Sequence, residues 1–466
     1  MTGGHICDRQ SVNNLIWLGL FMWKFGGCAL WALLCTVQIG TAGLRDLSLD
    51  EAIEIAVKQN KNILVAKLNV QKAESQVTEA YGSAMPSVSL NAGFNHNIQL
   101  PVFFFPSPIT GEVGPLRIGQ TNVYSMTAQV QQVLFNGAVF TAVRSSKLYT
   151  DAATAQLDAA VAEVVTETKK KYYQAIAAAA FFNVAQSTLD NVKKTRETIS
   201  ALFAEGLVAE FDKIRADVAV ANVEPIVIEA SSGKYAAQAA LQTYLSLDMS
   251  DTLVVSADRL PEIEDAPNPD NALAMALEAN YDLKALNLQI EVAKKMIDIQ
   301  ASDYYPTLAA FGQWQQQGQS DNLNDWRSAT SSLVGLNFSM NLFNGLRTKA
   351  KVEQSELDVA TALQRKSQIS DLIKLQTRTI INQLSSAKAR ITAQASTVSQ
   401  AQRGYDISQI RYREGAGSLL EISDAETALS RAQVNEISAR LDYHTTKAEY
   451  DRVTGQIDER YRRMVK

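Results

Sequence analysis

Glu421 and Asp424 stand three residues apart in a stretch of helical periodicity, and Asp212 holds an equivalent place earlier in the chain. Residues three apart share one face of a helix. Paired carboxylates of this kind can run acid–base chemistry or gather cations. The partners that catalysis requires are missing: no Ser–His pair, phosphate-cradling loop or glycine fingerprint accompanies them. Carboxylates at this spacing are also common surface decoration, so an enzyme is the weakest reading. The three histidines, His5, His96 and His444, are too scattered for a multi-histidine metal site. All three cysteines, Cys7, Cys28 and Cys35, lie at the N-terminus, so no disulfide scaffold, zinc–cysteine site or thiol nucleophile is available beyond them. No metal or cofactor is expected.

The elements that hold these residues come from a chain of 466 residues with 46% hydrophobic and 20% charged residues, which excludes full disorder. With 44 basic against 49 acidic residues the net charge is −5, which argues against a nucleic-acid partner. Residues 1–43 read as a secretory signal peptide. Apolar runs flank Lys24 and end in Gly40-Thr41-Ala42-Gly43, with cleavage expected near Ala42 or Gly43. Starting at Met22 would make the signal more typical. A retained transmembrane helix or a lipidated Cys28 or Cys35 are the alternatives, each weakened by its flanking residues. Cleavage would leave a cysteine-free chain. Nothing later is long and apolar enough for a membrane helix, so membrane entry there requires β-strands.

The remainder is a duplication. Ala52-Ile53-Glu54-Ile55-Ala56 aligns with Ala272-Leu273-Ala274-Met275-Ala276, and the same displacement pairs Asn60 with Asn280, Ile63 with Leu283 and Pro86 with Pro306. A shorter displacement pairs Leu134-Phe135-Asn136-Gly137 with Leu342-Phe343-Asn344-Gly345, so the first copy carries extra residues in the Pro-rich stretch from Leu100 to Gln120. The expected organisation is a first repeat over 44–248, an inter-repeat equatorial segment over 249–268, a second repeat over 269–455 and a C-terminal tail over 456–466.

Each repeat opens with a helix. Ser48-Leu49-Asp50-Glu51 is a capping box for one predicted to run to about Tyr81, and Asn268-Pro269 starts its counterpart. Strict alternation follows Pro86, where Val88, Leu90, Ala92 and Phe94 interleave with Ser, Asn and Gly, and recurs in the second copy at Val334, Leu336, Phe338, Met340 and Leu342; Thr307 to Gln315, directly after Pro306, alternates more weakly, with Leu308, Ala310 and Trp314 on the apolar face. Four strands in two hairpins result, with His96 on the apolar register and Val102-Phe103-Phe104-Phe105 in a surface loop. Their polar face is nearly free of charge, which suits a watery lumen inside a lipid-facing barrel better than a soluble sheet. Proline-free runs then predict helices from about Thr141 to Phe203 and along the seam Ile373, Ile380, Leu384, Ile391 and Tyr405. Such helices of roughly 60 residues would reach about 90–100 Å. They end at Gly206 and Gly415, and shorter helices return. Ser418-Leu419-Leu420-Glu421 caps the second return helix, Ala209 leaves the first without a hydroxyl cap, and Pro225 is expected to kink it. His444 is expected on a helix surface. Four strands cannot enclose a lumen, and unpaired edges are not tolerated in lipid, so copies of the chain must complete the wall.

From Leu47-Ser48-Leu49-Asp50-Glu51-Ala52 through the paired prolines, the two Leu-Phe-Asn-Gly segments and the two tips, Phe203 to Asp212 and Tyr412 to Glu421, the chain resembles the TolC-like outer-membrane factor family. The resemblance covers residues 47–455. It implies an α+β membrane protein: a homotrimer whose twelve-stranded β-barrel, four strands per chain, continues into a long α-helical coiled-coil barrel in the periplasm. It further implies a passive exit duct in the outer-membrane lipid, for small-molecule efflux or type I protein secretion. A periplasmic adaptor (membrane fusion) protein and an inner-membrane pump of RND, ABC or MFS type would be its partners. Glu421 and Asp424 then match acids that ring a periplasmic gate, Asp212 the acid of the first copy and Tyr412 a latching tyrosine. Gly206, Leu207, Val208, Gly415 and Ser418 fall in turns that meet the adaptor. Gly417 stands where some members carry an arginine lock, and Arg411, Arg413, Lys213 or Arg215 could replace it. A soluble periplasmic coiled-coil adaptor or scaffold is the alternative; it accounts for the helices but not for the uncharged strands.

Overall fold

A computed structural model describes residues 45–106, 111–248, 253–254 and 261–465. The signal segment lies outside the described residues, as does most of 249–260. The chain begins with β1 (Arg45–Asp46), α1 (Leu49–Gln59) and α2 (Lys61–Ala84). The capping box at Ser48 forms reciprocally with Glu51. The single helix expected up to Tyr81 is instead two, broken at Asn60. Next come β2 (Ser87–His96), β3 (Val102–Pro106), β4 (Val113–Arg117) and β5 (Asn122–Phe135). The first copy's Pro-rich insertion is therefore not merely a loop, because β3 and β4 pair antiparallel with Phe103 opposite Leu116.

The long α3 (Gly137–Ala204) has 68 residues, about 100 Å at the helical rise. It returns as α4 (Glu210–Leu245), which stays continuous through Pro225. The second copy follows β6 (Leu253–Val254) and repeats the order: α5 (Pro269–Ala279), α6 (Tyr281–Ala301), β7 (Thr307–Ser320), β8 (Arg327–Ser339), α7 (Arg347–Arg413) and α8 (Leu419–Val453). A short α9 (Glu459–Arg463) closes the chain.

The two asparagines aligned by the duplication do identical work. Asn60 Oδ1 accepts from Asn62 N–H at 2.9 Å, and its Nδ2 donates to the Tyr244 carbonyl at 3.0 Å. Asn280 Oδ1 accepts from Leu283 N–H at 3.0 Å, and its Nδ2 donates to the Val453 carbonyl at 3.1 Å. Each side chain thus caps the start of one helix and the end of the return helix beside it. The Leu-Phe-Asn-Gly copies diverge. Asn136 caps α3 by accepting from the Ala138 and Val139 amides. Asn344 turns instead to Thr348 Oγ1, and α7 starts later, after Leu346 in the left-handed region. β8 ends at Ser339, short of the alternation that runs to Leu342.

The strands form one antiparallel sheet in the order β2-β5-β7-β8, with the two copies joined by β5 against β7. Neither β2 nor β8 has a second strand partner among the described residues. Register keeps even-numbered residues on one face, as in the row Val88–Val130–Gly312–Val334, and odd-numbered ones on the other, as in Ser89–Gln129–Gln313–Leu333. The main core lies where α1, α3, α4 and the C-terminal segment meet, around Leu47, Ile53, Val161, Tyr172, Leu241 and Tyr461. Tyr172 donates to the Leu47 carbonyl at 2.9 Å and Tyr461 to Asp50 at 2.8 Å. A second core packs α5 and α6 on α7 and α8. Partly buried ion pairs join the copies, Lys169 to Asp451 at 3.0 Å and Lys170 to Glu449. His444 corrects the surface expectation: it is 3% exposed and stacks on Tyr173, with centroids 4.9 Å apart. Burial and the Arg440 charge push its pKa down to about 4, so it is neutral.

Candidate functional site

Both helical hairpins end in the same turn. The α3 end places Gly206 at φ 73°, with Gly206 N–H donating to Phe203 O at 2.9 Å and Leu207 N–H to Leu202 O at 2.9 Å. The α7 end repeats this at Gly415, also φ 73°, with Ala416 N–H donating to Arg411 O at 2.8 Å. This is the Schellman pattern, whose left-handed position favours glycine. As expected, α4 starts at Ala209 with no side-chain cap, while Ser418 accepts from the Glu421 amide at 3.3 Å to start α8.

The capping box expected there is only half formed. The Glu421 carboxylate lies 3.7 Å from Arg411 Nε instead. Arg411 also donates to the Ala416 carbonyl at 2.9 Å, which clasps the turn. Of the four basic side chains that could stand in for an arginine at 417, Arg411 is the one that meets an acid among the described residues. Lys213 sits over the Phe203 ring, Arg215 over Phe211, and Arg413 bonds back to Gln409. Gly417 makes room for this, since a Cβ there would lie 3.0 Å from Arg411 Cβ and 3.1 Å from Tyr412 N.

The two tips meet through apolar packing. Ile199, Ala216 and Leu419 cluster with Val208 and Tyr412, while Tyr405, Ile422 and Leu429 hold the other side of Tyr412. The Tyr412 hydroxyl is buried without a hydrogen-bond partner, and burial together with the Asp212 charge raises its pKa. The fold therefore brings Tyr412 of the second copy near Asp212 of the first. Glu421 and Asp424 project into solvent one turn apart on α8, as do Gly206, Leu207 and Gly415 at the turns.

Glu426 was missed from the sequence. It is 5% exposed, and its Oε1 lacks a hydrogen-bond partner. The signal was present: Leu419, Ile422, Glu426 and Leu429 step three, four, three, so a carboxylate occupies a core position of the seam.

At the other end of the molecule the odd face of the sheet aligns Asn91, Thr127, Gln315 and Ser331 in one row and Ser125 and Gln317 in the next. These are uncharged groups that suit contact with water. The even face carries Val88, Leu90, Val130, Val334 and Leu336, all of them exposed in the single chain. Near the strand ends Tyr124 and Phe94 stack with Trp326, at centroid distances of 5.1 and 6.3 Å. His96 faces the Asn122 side chain at 2.7 Å. Among the described residues no helix is long and apolar enough to cross a membrane, and no group of His, Cys, Asp and Glu could hold a metal ion.

Comparison with known proteins agrees with this architecture. The sequence profile described as "Outer membrane efflux protein" matches residues 52–246 and 272–456, one segment in each copy. The outer membrane protein TolC of Vibrio cholerae is 20% identical over 429 residues, 88% of this chain and 91% of that protein. The alkaline protease secretion protein AprF of Pseudomonas aeruginosa is 31% identical over 192 residues, covering 40% of this chain and 38% of its own. Among solved structures, the Campylobacter jejuni CmeC outer membrane channel superposes with a TM-score of 0.71 at 17% identity, covering 94% of each chain.

Proposed function

Because the chain belongs to the outer membrane efflux protein family, we propose that it is the outer-membrane exit duct of an export machine, a passive conduit from periplasm to exterior and not an enzyme. One observation carries this reading furthest. A four-stranded sheet with an almost uncharged polar face, an apolar opposite face and two open edges leads into helices of 68 and 67 residues. Exposed strand edges cannot persist in lipid, and a ring of copies removes them. Three copies supply twelve strands, enough for a water-filled barrel, with the odd face inward and the helices extending the pore through the periplasm. A soluble scaffold would give no role to the contrast between the two sheet faces.

In this assembly the tips lie around one axis at the periplasmic mouth. Glu421, Asp424 and Asp212 form its acidic constriction, Tyr412 packs the seam behind them, and the turns at Gly206, Leu207, Val208, Gly415 and Ser418 offer the surface for a periplasmic adaptor. Energy comes from an inner-membrane pump, since the chain holds no nucleotide-binding motif of its own. The relatives include a protein named for secretion of a protease as well as one named for efflux, so the shared role is the duct, whatever its cargo.

The test is a planar-bilayer conductance trace with the oligomer mass measured in the same detergent. Trimers giving discrete, long-lived conductance steps support the reading. A processed chain recovered as a soluble monomer without detergent overturns it.

A further inference from the structure

We infer that Glu426 is a proton-linked latch in the seam between the two helical hairpins: protonated, it lets the seam pack, and ionised, it drives the seam apart. This rests on the exit-duct reading above and adds to it a positioning residue behind the gate.

The geometry comes first. Glu426 lies on the apolar face of α8 at the tip, with Leu419 and Ile422 before it and Leu429 after it; Ile422 and Leu429 pack together with Tyr405, and Leu419 packs with Ile199 and Ala216. The first-copy hairpin covers it. Beside it is a cavity of about 30 Å³, whose wall includes Val192, Thr195, Arg215, Ala219 and Ser423. That is room for one water, and one water cannot replace the hydration shell of a carboxylate.

No element packed against Glu426 brings it a counter-charge. From α3 it meets Asn191 and Thr195, neither of them titratable. From α4 the charged side chain is Arg215, which lines the cavity but carries its guanidinium over the Phe211 ring, 5.7 Å from the centroid. From α7 it meets Tyr405, a neutral phenol that burial and the Glu426 charge push up to about 12. Asp406, the next residue, is exposed and accepts from Gln402 at 2.9 Å. On α8 itself Glu421 and Asp424 face solvent. The buried position therefore favours the neutral acid.

The sign follows. Burial pushes the Glu426 carboxyl up to about 7, with Asn191 and Tyr405 offsetting part of the shift. Any separation of the hairpins at the tip exposes the group to water, where a glutamate ionises near its ordinary value. The packed seam then holds the proton more tightly than the parted one. Acid favours packing, and packing weakens as pH rises from the ordinary glutamate range through about 7, beyond which the penalty is constant. Per protomer the packed-to-parted ratio falls on the order of a hundredfold across that window. On opening, the proton passes to the water that enters the cavity.

The test is planar-bilayer conductance of the purified oligomer between pH 4.5 and 8.5 for wild type, Glu426→Gln and Asp406→Asn, the last at an exposed carboxylate next to Tyr405. Wild-type conductance should rise with pH and level off by about 7. Glu426→Gln should remain at the low level throughout, and Asp406→Asn should keep the rise. Denaturation midpoints supply a second readout: Glu426→Gln should match wild type at pH 5 and exceed it at pH 8. A Glu426→Gln channel with the wild-type pH rise, or a wild type that opens on acidification, overturns the latch while leaving the duct intact. A wild type that forms no channel overturns the duct, and the latch with it.

Discussion

Replacing Asn280 by alanine tests the claim that one side chain ties together two helix ends. Asn280 is 4% exposed. Its Oδ1 caps α6 through the Leu283 amide, and its Nδ2 satisfies the Val453 carbonyl at the end of α8. Losing an asparagine N-cap costs about 0.5–2 kcal/mol. Leaving a buried carbonyl without its donor costs about 1–3 kcal/mol more. The total expected is roughly 2–4 kcal/mol per protomer after allowing for partial relaxation. Asn268 is the internal control. It also caps a helix, by accepting from the Asp270 and Asn271 amides, but bonds to no second helix end among the described residues, so Asn268→Ala should cost only about 1 kcal/mol. Asn280→Asp separates the two parts, because the cap acceptor survives while a carboxylate oxygen replaces the donor facing the Val453 carbonyl. It should be at least as destabilised as Asn280→Ala. The assay is urea denaturation in a fixed detergent, followed by tryptophan fluorescence and by loss of the oligomer band. Equal losses at 268 and 280, or wild-type stability for Asn280→Asp, would refute the bridging argument.

Gly415→Ala meets open space but must adopt φ 73°, so it should cost about 1–2 kcal/mol by denaturation. Gly455→Ala should cost clearly more, because its Cβ would also lie 2.5 Å from the Ala279 carbonyl oxygen. Tyr412→Phe should keep wild-type stability and conductance, since the hydroxyl has no hydrogen-bond partner, whereas Tyr412→Ala should lose about 2–4 kcal/mol of packing and raise basal conductance. A hydroxyl latch would show itself as a leaky Tyr412→Phe channel. Replacing Glu421 and Asp424 together with alanine should weaken block by multivalent cations several-fold in bilayers, and unchanged block would remove them from the constriction.

Much of the architecture is legible in local pattern. Period-two alternation after Pro86 and Pro306 gives the four long strands, and the register bears out which residues share a face. The tip turns follow from glycines that close identical motifs in both copies. What the sequence hides is long-range. Asn60 and Asn280 break helices because each has a carbonyl of a distant helix to satisfy, and nothing local shows that carbonyl. His444 looks like surface until Tyr173, far away in sequence, covers it. The two Leu-Phe-Asn-Gly copies read alike, yet Thr348 diverts one asparagine from its cap. Arg411 could not be chosen over its three rivals without knowing which side chains the rings of Phe203 and Phe211 already engage. Glu426 was readable, had its polar identity not kept it off the list of core positions.

The sheet order has a consequence of parity. Four strands that alternate in direction end in β2 and β8 running opposite ways. One molecule's last strand can therefore meet the next molecule's first in the same up-and-down sense that prevails inside each, and no seam of mismatched direction arises however many are joined. With three or five strands apiece, every junction would be parallel. The strand number thus leaves the ring size undecided, since any number of copies closes with the same alternation.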